Sequence, residues 1–134
     1  MSIDTDLNSK KTILVVDDDE MCVNLLEVIL NKYYNVVTKR DGQEAFDYIC
    51  NGNYPDLILL DVEMPKMNGR VFVRRVKHDS RYAKIPIFFV TAINNPQINN
   101  AFQQLGVQEF IFKPINSIYL LERIKNFFDS NLKY

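Results

Sequence analysis

The chain is poor in several residue types that carry chemistry in other proteins. Its 134 residues include two cysteines, one histidine and no tryptophan. Cys22 and Cys50 stand in no CxxC or Cys/His spacing, which argues against a metal motif, and a secreted disulfide scaffold of this length normally carries more cysteine. The lone His78, beside Asp79 in a polar loop, reads as a surface residue rather than a catalytic one. No apolar run approaches the roughly 20 residues that a bilayer span needs. The first eleven residues contain no apolar signal core, because Asp4, Asp6 and Asn8 interrupt them. Neither sign of charge dominates: 16 Lys and Arg face 17 Asp and Glu, a formal charge of -1. That balance weakens a reading as a general polyanion binder. Taken together, these absences lead us to expect a cytoplasmic localisation, with no membrane contact and no direct nucleic acid partner.

What is present fits one folded domain. Hydrophobic residues make up 47% and charged residues 25% of the chain, ordinary globular values. Residues 1–11 are polar and read as a loose arm. From Thr12 the pattern changes to short, continuous apolar runs that end abruptly in polar residues. Ile13-Leu14-Val15-Val16 stops at Asp17-Asp18-Asp19-Glu20, Leu57-Ile58-Leu59-Leu60 at Asp61, Ile87-Phe88-Phe89-Val90 at Thr91, and Phe110-Ile111-Phe112 at Lys113-Pro114. Runs of this kind suit strands buried on both faces, the habit of parallel sheets. Val36-Val37-Thr38 is a weaker candidate. Helical spacing fills the intervals. Cys22, Leu25, Leu26, Ile29 and Tyr33 form one stripe; Ile98, Ala101, Phe102 and Leu105 form another, with Gly106 placed to cap it. Leu120, Leu121, Ile124, Phe127 and Phe128 form the last, and shorter helices are expected after Gly42 and Gly69. Both cysteines fall on helical stripes and read as small core residues. Five β-α units in succession imply an α/β fold, a doubly wound parallel sheet with helices on both faces.

In such a sheet, ligands bind beyond the carboxyl ends of the strands, where the strand order reverses. Four of the five strands end there in a group with chemical capacity: Asp17 and Asp18, Asp61, Thr91, and Lys113. Three neighbouring carboxylates repel one another unless a cation intervenes, and Lys113 supplies only one positive charge. Oxygen ligands without His or Cys favour a hard divalent ion, so Mg²⁺ is the expected cofactor. A carboxylate beside Mg²⁺, an ammonium and a hydroxyl is equipped to attack phosphorus. Each residue alone has a plainer use. Asp19 or Glu20 suits the N-cap of the following helix, Asp61 a turn, Thr91 an N-cap, and Lys113 a solvated surface. Their coincidence at four strand ends favours the site.

The segments Ile13 to Asp19, Leu59 to Gly69 (Leu-Leu-Asp-Val-Glu-Met-Pro-Lys-Met-Asn-Gly), Val90-Thr91-Ala92 and Phe112-Lys113-Pro114, taken in order, resemble the receiver (phosphoacceptor) domain of two-component response regulators. The resemblance covers residues 12 to 129, and residues 12–130 are assigned to the receiver domain. It implies a flavodoxin-like (βα)5 fold with strand order 2-1-3-4-5. It implies that Asp61 is the phosphoacceptor, that Asp18 binds Mg²⁺ directly, and that Asp17 reaches the metal mostly through water. Asp61 itself and the backbone carbonyl of Glu63 would complete the protein ligands. Lys113 would pair with the phosphoryl group, Thr91 would be the switch hydroxyl, and Phe110 would occupy the aromatic switch position. The Lys113-Pro114 peptide would be cis. Two departures stand out: Phe110 has no phenolic hydroxyl, so it would act by burial alone, and Asn68 replaces the usual aspartate before Gly69.

The function expected from the resemblance is that of a response regulator receiver. It would accept a phosphoryl group on Asp61 from a histidine kinase or histidine phosphotransfer protein. It would then shift the face formed by its fourth helix, fifth strand and fifth helix, residues 94 to 129, toward an unidentified downstream protein. The protein is then a signalling phosphoacceptor rather than an enzyme. Because the chain ends near its last helix, a stand-alone receiver is expected; a receiver excised from a longer regulator is the alternative. A rival from another class is a small Mg²⁺-dependent phosphatase working through an aspartyl-phosphate, although Asp17 to Asp19 meets that motif only nominally. A scaffold-only pseudo-receiver would ordinarily have lost an acid or the lysine.

Overall fold

A computed structural model describes residues 10–130. The expected arm therefore lies outside the described residues except for Lys10 and Lys11, whose carbonyls accept hydrogen bonds from the side-chain and backbone nitrogens of Asn35. Each apolar run forms a strand: β1 (Thr12–Val16), β2 (Asn35–Lys39), β3 (Leu57–Leu60), β4 (Ile87–Thr91) and β5 (Glu109–Phe112). All pairings are parallel, and the order is β2-β1-β3-β4-β5. β3 and β4 are buried throughout and β1 nearly so, as their uninterrupted Leu, Ile, Val and Phe require. β2 lies at one edge and is only half buried, which explains its weaker sequence signal.

The connecting helices are α1 (Glu20–Leu30), α2 (Gly42–Cys50), α3 (Gly69–His78), α4 (Pro96–Gln103) and α5 (Ser117–Ser130). Side-chain oxygens cap all five: Asp19 for α1, Asp41 for α2, Asn68 for α3, Asn95 for α4 and Asn116 for α5. The helices divide the core in two. One layer packs α2, α3 and α4 residues such as Ala45, Phe72, Val76 and Phe102 under Leu14, Ile58 and Phe89. The other packs Leu26 and Leu30 of α1 with Ile124 and Phe128 of α5 against Ile13, Leu59 and Phe88.

Four expectations need correction. The buried stripe of α1 is Cys22, Leu26 and Leu30, with Leu25 and Tyr33 exposed. In α4, Phe102 is buried, whereas Ile98 and Ala101 face outward. Cys50 is exposed, one position past the buried Ile49, so only Cys22 is a core residue. His78 is exposed as expected, but it is the last residue of α3 rather than part of a loop.

Candidate functional site

Parallel pairing brings the four polar strand ends to one edge of the sheet, and backbone hydrogen bonds fix them there. Asp17 N–H donates to Lys39 O, Asp61 N–H to Val16 O, and Lys113 N–H to Thr91 O, at 3.1, 2.9 and 2.9 Å. β1 and β3 are neighbours although β2 intervenes in sequence, so Asp17, Asp18 and Asp61 meet where the strand order reverses. One carboxylate oxygen from each of the three lies within 4.8 Å of the others. Lys113 Nζ stands 3.0 Å from Asp17 Oδ2 and 3.9 Å from Asp61 Oδ2. The Lys113-Pro114 peptide is cis.

Two chemical consequences follow. First, Asp17 is buried and uses Oδ1 to accept from Asp19 N–H at 2.9 Å, while Oδ2 has no aligned hydrogen-bond donor. Its nearest cation is Lys113, so a buried anionic oxygen retains free lone pairs. That, with an exposed Asp18 and an all-oxygen donor set, fits a hard divalent cation. Second, the site is charged against its own environment. Burial, then the charge of Asp17, pushes the Asp61 carboxyl up to about 6, with Lys113 and the Val62 N–H pulling the other way. Burial alone would lower the Lys113 ammonium, but its contact with Asp17 and the charge of Asp61 raise it on balance. Burial next to Asp17 pushes the Cys22 thiol up to about 12, which leaves it an inert neighbour.

Thr91 is buried at the end of β4, and its Oγ1 accepts from Ile93 N–H at 3.1 Å; the helix cap lies four residues later at Asn95. Phe110 is half buried in an aromatic cluster. Its ring lies 5.9 Å from Phe89 edge-on and 6.3 Å from Phe102 nearly parallel, and Phe112 is 6.3 Å away. Phe102 thereby connects α4 to β5 next to the site, a link that strand and helix periodicity alone does not reveal.

The loop between β3 and α3 is held by close backbone approaches. Gly69 N–H donates to Val62 O at 2.8 Å, and a Cβ at Gly69 would stand 2.6 Å from Asp61 O and 2.8 Å from Val62 Cα. Gly42 N–H donates to Met67 O, which a Cβ there would meet at 2.3 Å. Both glycines are required by proximity, not by a left-handed backbone. Asn68 serves as the cap of α3, its Oδ1 accepting from Val71 N–H at 3.1 Å, a role an aspartate would also fill. Lys66, at φ 64°, places its ammonium 3.8 Å from Asp41. Glu63 is exposed two residues beyond Asp61.

Residues 13–125 match the family model of the response regulator receiver domain, and the chain belongs to that family. Response regulator PleD of Caulobacter vibrioides is 38% identical over 115 residues, 85% of this chain and 25% of PleD. The polar-differentiation response regulator DivK of Brucella ovis is 30% identical over 118 residues, 87% of this chain and 95% of DivK. The chain thus spans about a quarter or less of several curated relatives that it matches. The crystal structure of the phosphorylated cyanobacterial phytochrome response regulator RcpA superposes with a TM-score of 0.76 at 30% identity, covering 89% of this chain and 91% of that one. Receiver domains of this family serve two-component signalling, interact with histidine kinases and downstream effectors, and bind Mg²⁺ at an acidic pocket. No helix among the described residues is long and apolar enough to cross a membrane.

Proposed function

We propose that the chain is a phosphorylation-controlled switch that takes a phosphoryl group on Asp61. The observation that carries this reading is the three-carboxylate cluster with Lys113 on one flank, at the point where the strand order reverses. A carboxylate oxygen of Asp61 forms a bond to phosphorus while the N–P bond of a donor phosphohistidine breaks. The imidazole leaves with the electron pair and takes up a proton. Asp17, Asp18, Asp61 and the Glu63 carbonyl would hold Mg²⁺, which would supply positive charge to offset that on the transferring oxygens. Lys113, already paired with Asp17, is positioned to take over a phosphoryl oxygen, and the ion pair is exchanged rather than created. Thr91 Oγ1 occupies the end of the adjacent strand and offers an O–H donor once a phosphoryl group is present. Movement there would reach Phe110, Phe102 and α4 through ring contacts, biasing two packings of the α4-β5-α5 face.

The donor is a histidine kinase or phosphotransfer protein, and an exposed apolar strip beside the site is where it lands. Met21, Leu25 and Val28 repeat along the exposed face of α1, with Met21 82% and Val28 70% exposed, two turns of apolar surface starting at the site's rim. The downstream partner is a protein.

The test is incubation with a small-molecule phosphodonor and Mg²⁺, followed by intact-mass and turnover measurements. One phosphoryl group per chain, absent in Asp61→Asn, is the expected result. Sustained release of phosphate from a generic ester over many turnovers would favour a phosphatase instead.

A further inference from the structure

Charge is unevenly distributed along this nearly neutral chain. Residues 66–84 contain seven of its 16 basic residues (Lys66, Arg70, Arg74, Arg75, Lys77, Arg81, Lys84) and only one of its 17 acids, Asp79. Four of these have other uses or lie outside α3's exposed face. Arg81 makes two hydrogen bonds to Asp79 at 3.0 and 2.7 Å, Lys66 faces Asp41, Lys77 donates to Ala83 O at 3.1 Å, and Lys84 lies beyond the helix. Arg70, Arg74 and Arg75 are exposed on α3, and no carboxylate lies within 4.0 Å of them among the described residues.

The fold accounts for these arginines only in part. Cations near a helix C-terminus complement its dipole, which suits Arg75 and Lys77. Arg70, however, lies in the first turn, where the dipole disfavours a cation and no acid offsets it. Arg70 and Arg74 are four residues apart, and like charges at that spacing oppose the helix. Two of the guanidiniums are also positioned by aromatic rings, Arg75 5.5 Å from the Phe46 centroid and Arg70 6.0 Å from that of Phe102. A stacked guanidinium loses less freedom when its N–H fork meets a planar anion. Between α2 and α3 lies an open groove of about 630 Å³ lined by Phe46, Val71, Arg74, Arg75 and His78, together with Ser80 and Asp79, whose carboxylate is already paired with Arg81. Val71 is 40% exposed there.

We propose that this face of α3 docks an acidic segment of a partner protein, with an apolar side chain seated on Val71 and Phe46 and flanking carboxylates on Arg74 and Arg75. The apolar floor favours a peptide over a polyphosphate. So does the surrounding charge, since α2 next door exposes Glu44 and Asp47 and the rest of the chain is acidic in balance, which a long nucleic acid would have to cross. The inference is independent of phosphorylation at Asp61.

The test is an NMR titration of the full chain with a synthetic peptide, Glu-Glu-Asp-Leu-Glu-Glu. A lysine-for-glutamate peptide, a hexathymidylate and vesicles containing phosphatidylserine serve as comparison ligands. The acidic peptide is expected to shift the amides of Phe46, Val71, Arg74, Arg75 and His78 saturably. Affinity should fall at least about tenfold in Arg74→Glu/Arg75→Glu, fall less in Arg74→Gln/Arg75→Gln, and drop between about 50 and 200 mM salt. Peptide shifts elsewhere, absence of saturable binding, or insensitivity to both double variants with folding retained would overturn the proposal. Equal or tighter binding of the oligonucleotide or the vesicles at these residues would also overturn it.

Discussion

Replacing Asp61 with asparagine should make the metal-free protein more stable at neutral pH. Asparagine keeps the shape of the side chain and removes the charge. In the folded state the Asp61 carboxyl titrates at about 6, against an ordinary value of 3.8, because burial and Asp17 oppose its ionisation more than Lys113 assists it. Above pH 6 both folded and unfolded chains carry the charge, and the folded state bears the full cost. A rise of about two units at 1.36 kcal/mol each is about 3 kcal/mol. Below the unfolded value both states are protonated and the cost disappears. As pH rises from 4 to 6, the unfolded chain releases the proton first, so wild-type stability falls across that window. Urea unfolding at pH 7.5 without divalent metal should therefore show Asp61→Asn stabilised by about 2–3 kcal/mol, a midpoint shift on the order of 1–2 M. At pH 4 the two curves should nearly coincide. Adding Mg²⁺ should stabilise the wild type more than the variant, since it binds the carboxylate of the folded state. A variant no more stable at pH 7.5, or equally stabilised at both pH values, would refute this account of the site's electrostatics.

Lys113→Ala should leave Asp17 buried without its nearest cation, destabilising the metal-free fold by about 3 kcal/mol in urea and slowing phosphorylation by a small-molecule donor. Gly69→Ala should cost about 1–3 kcal/mol and disturb the Asp61 backbone, because the new Cβ meets main-chain atoms that cannot rotate away; thermal unfolding with amide shifts at Asp61 and Val62 would read both effects. Asn95→Ala should remove the acceptor of two backbone N–H bonds at 2.9 and 3.3 Å and weaken α4 by about 1 kcal/mol, seen as faster hydrogen exchange in α4. In the wild type itself, α4 amides should exchange faster than those of α5, since α4 has eight residues and buries only Phe102; equal protection would contradict that.

Much of this was legible before the fold was known. β1, β3 and β4 are runs of Leu, Ile, Val and Phe that end in a polar residue, so the sequence showed both their burial and the groups at their carboxyl ends. The helix faces were less legible where apolar residues surround a helix. In α1, Met21, Leu25 and Val28 form a second stripe beside Cys22, Leu26 and Leu30, and periodicity cannot choose between two apolar faces. In α4 the stripe through Ile98 and Ala101 is apolar but short, and only Phe102 is long enough and placed to meet Phe89 and Phe110. The capping role of Asn68, the contact of Lys66 with Asp41, and the steric need for glycine at 42 and 69 depend on how the β3-α3 loop folds back, which no local pattern records. The clustering of basic residues on α3 gains a meaning only once the fold shows which arginines find partners.

The central claim is that phosphorus is transferred to Asp61 and to no other carboxylate of the cluster. The most direct measurement is to phosphorylate the protein with a small-molecule donor and Mg²⁺, reduce the acyl phosphate with borohydride, and sequence the peptides by mass spectrometry. Reduction turns a phosphorylated aspartate into homoserine, so homoserine at position 61 alone is the predicted result. Homoserine at position 17 or 18, or modification undiminished in Asp61→Asn, would contradict the account.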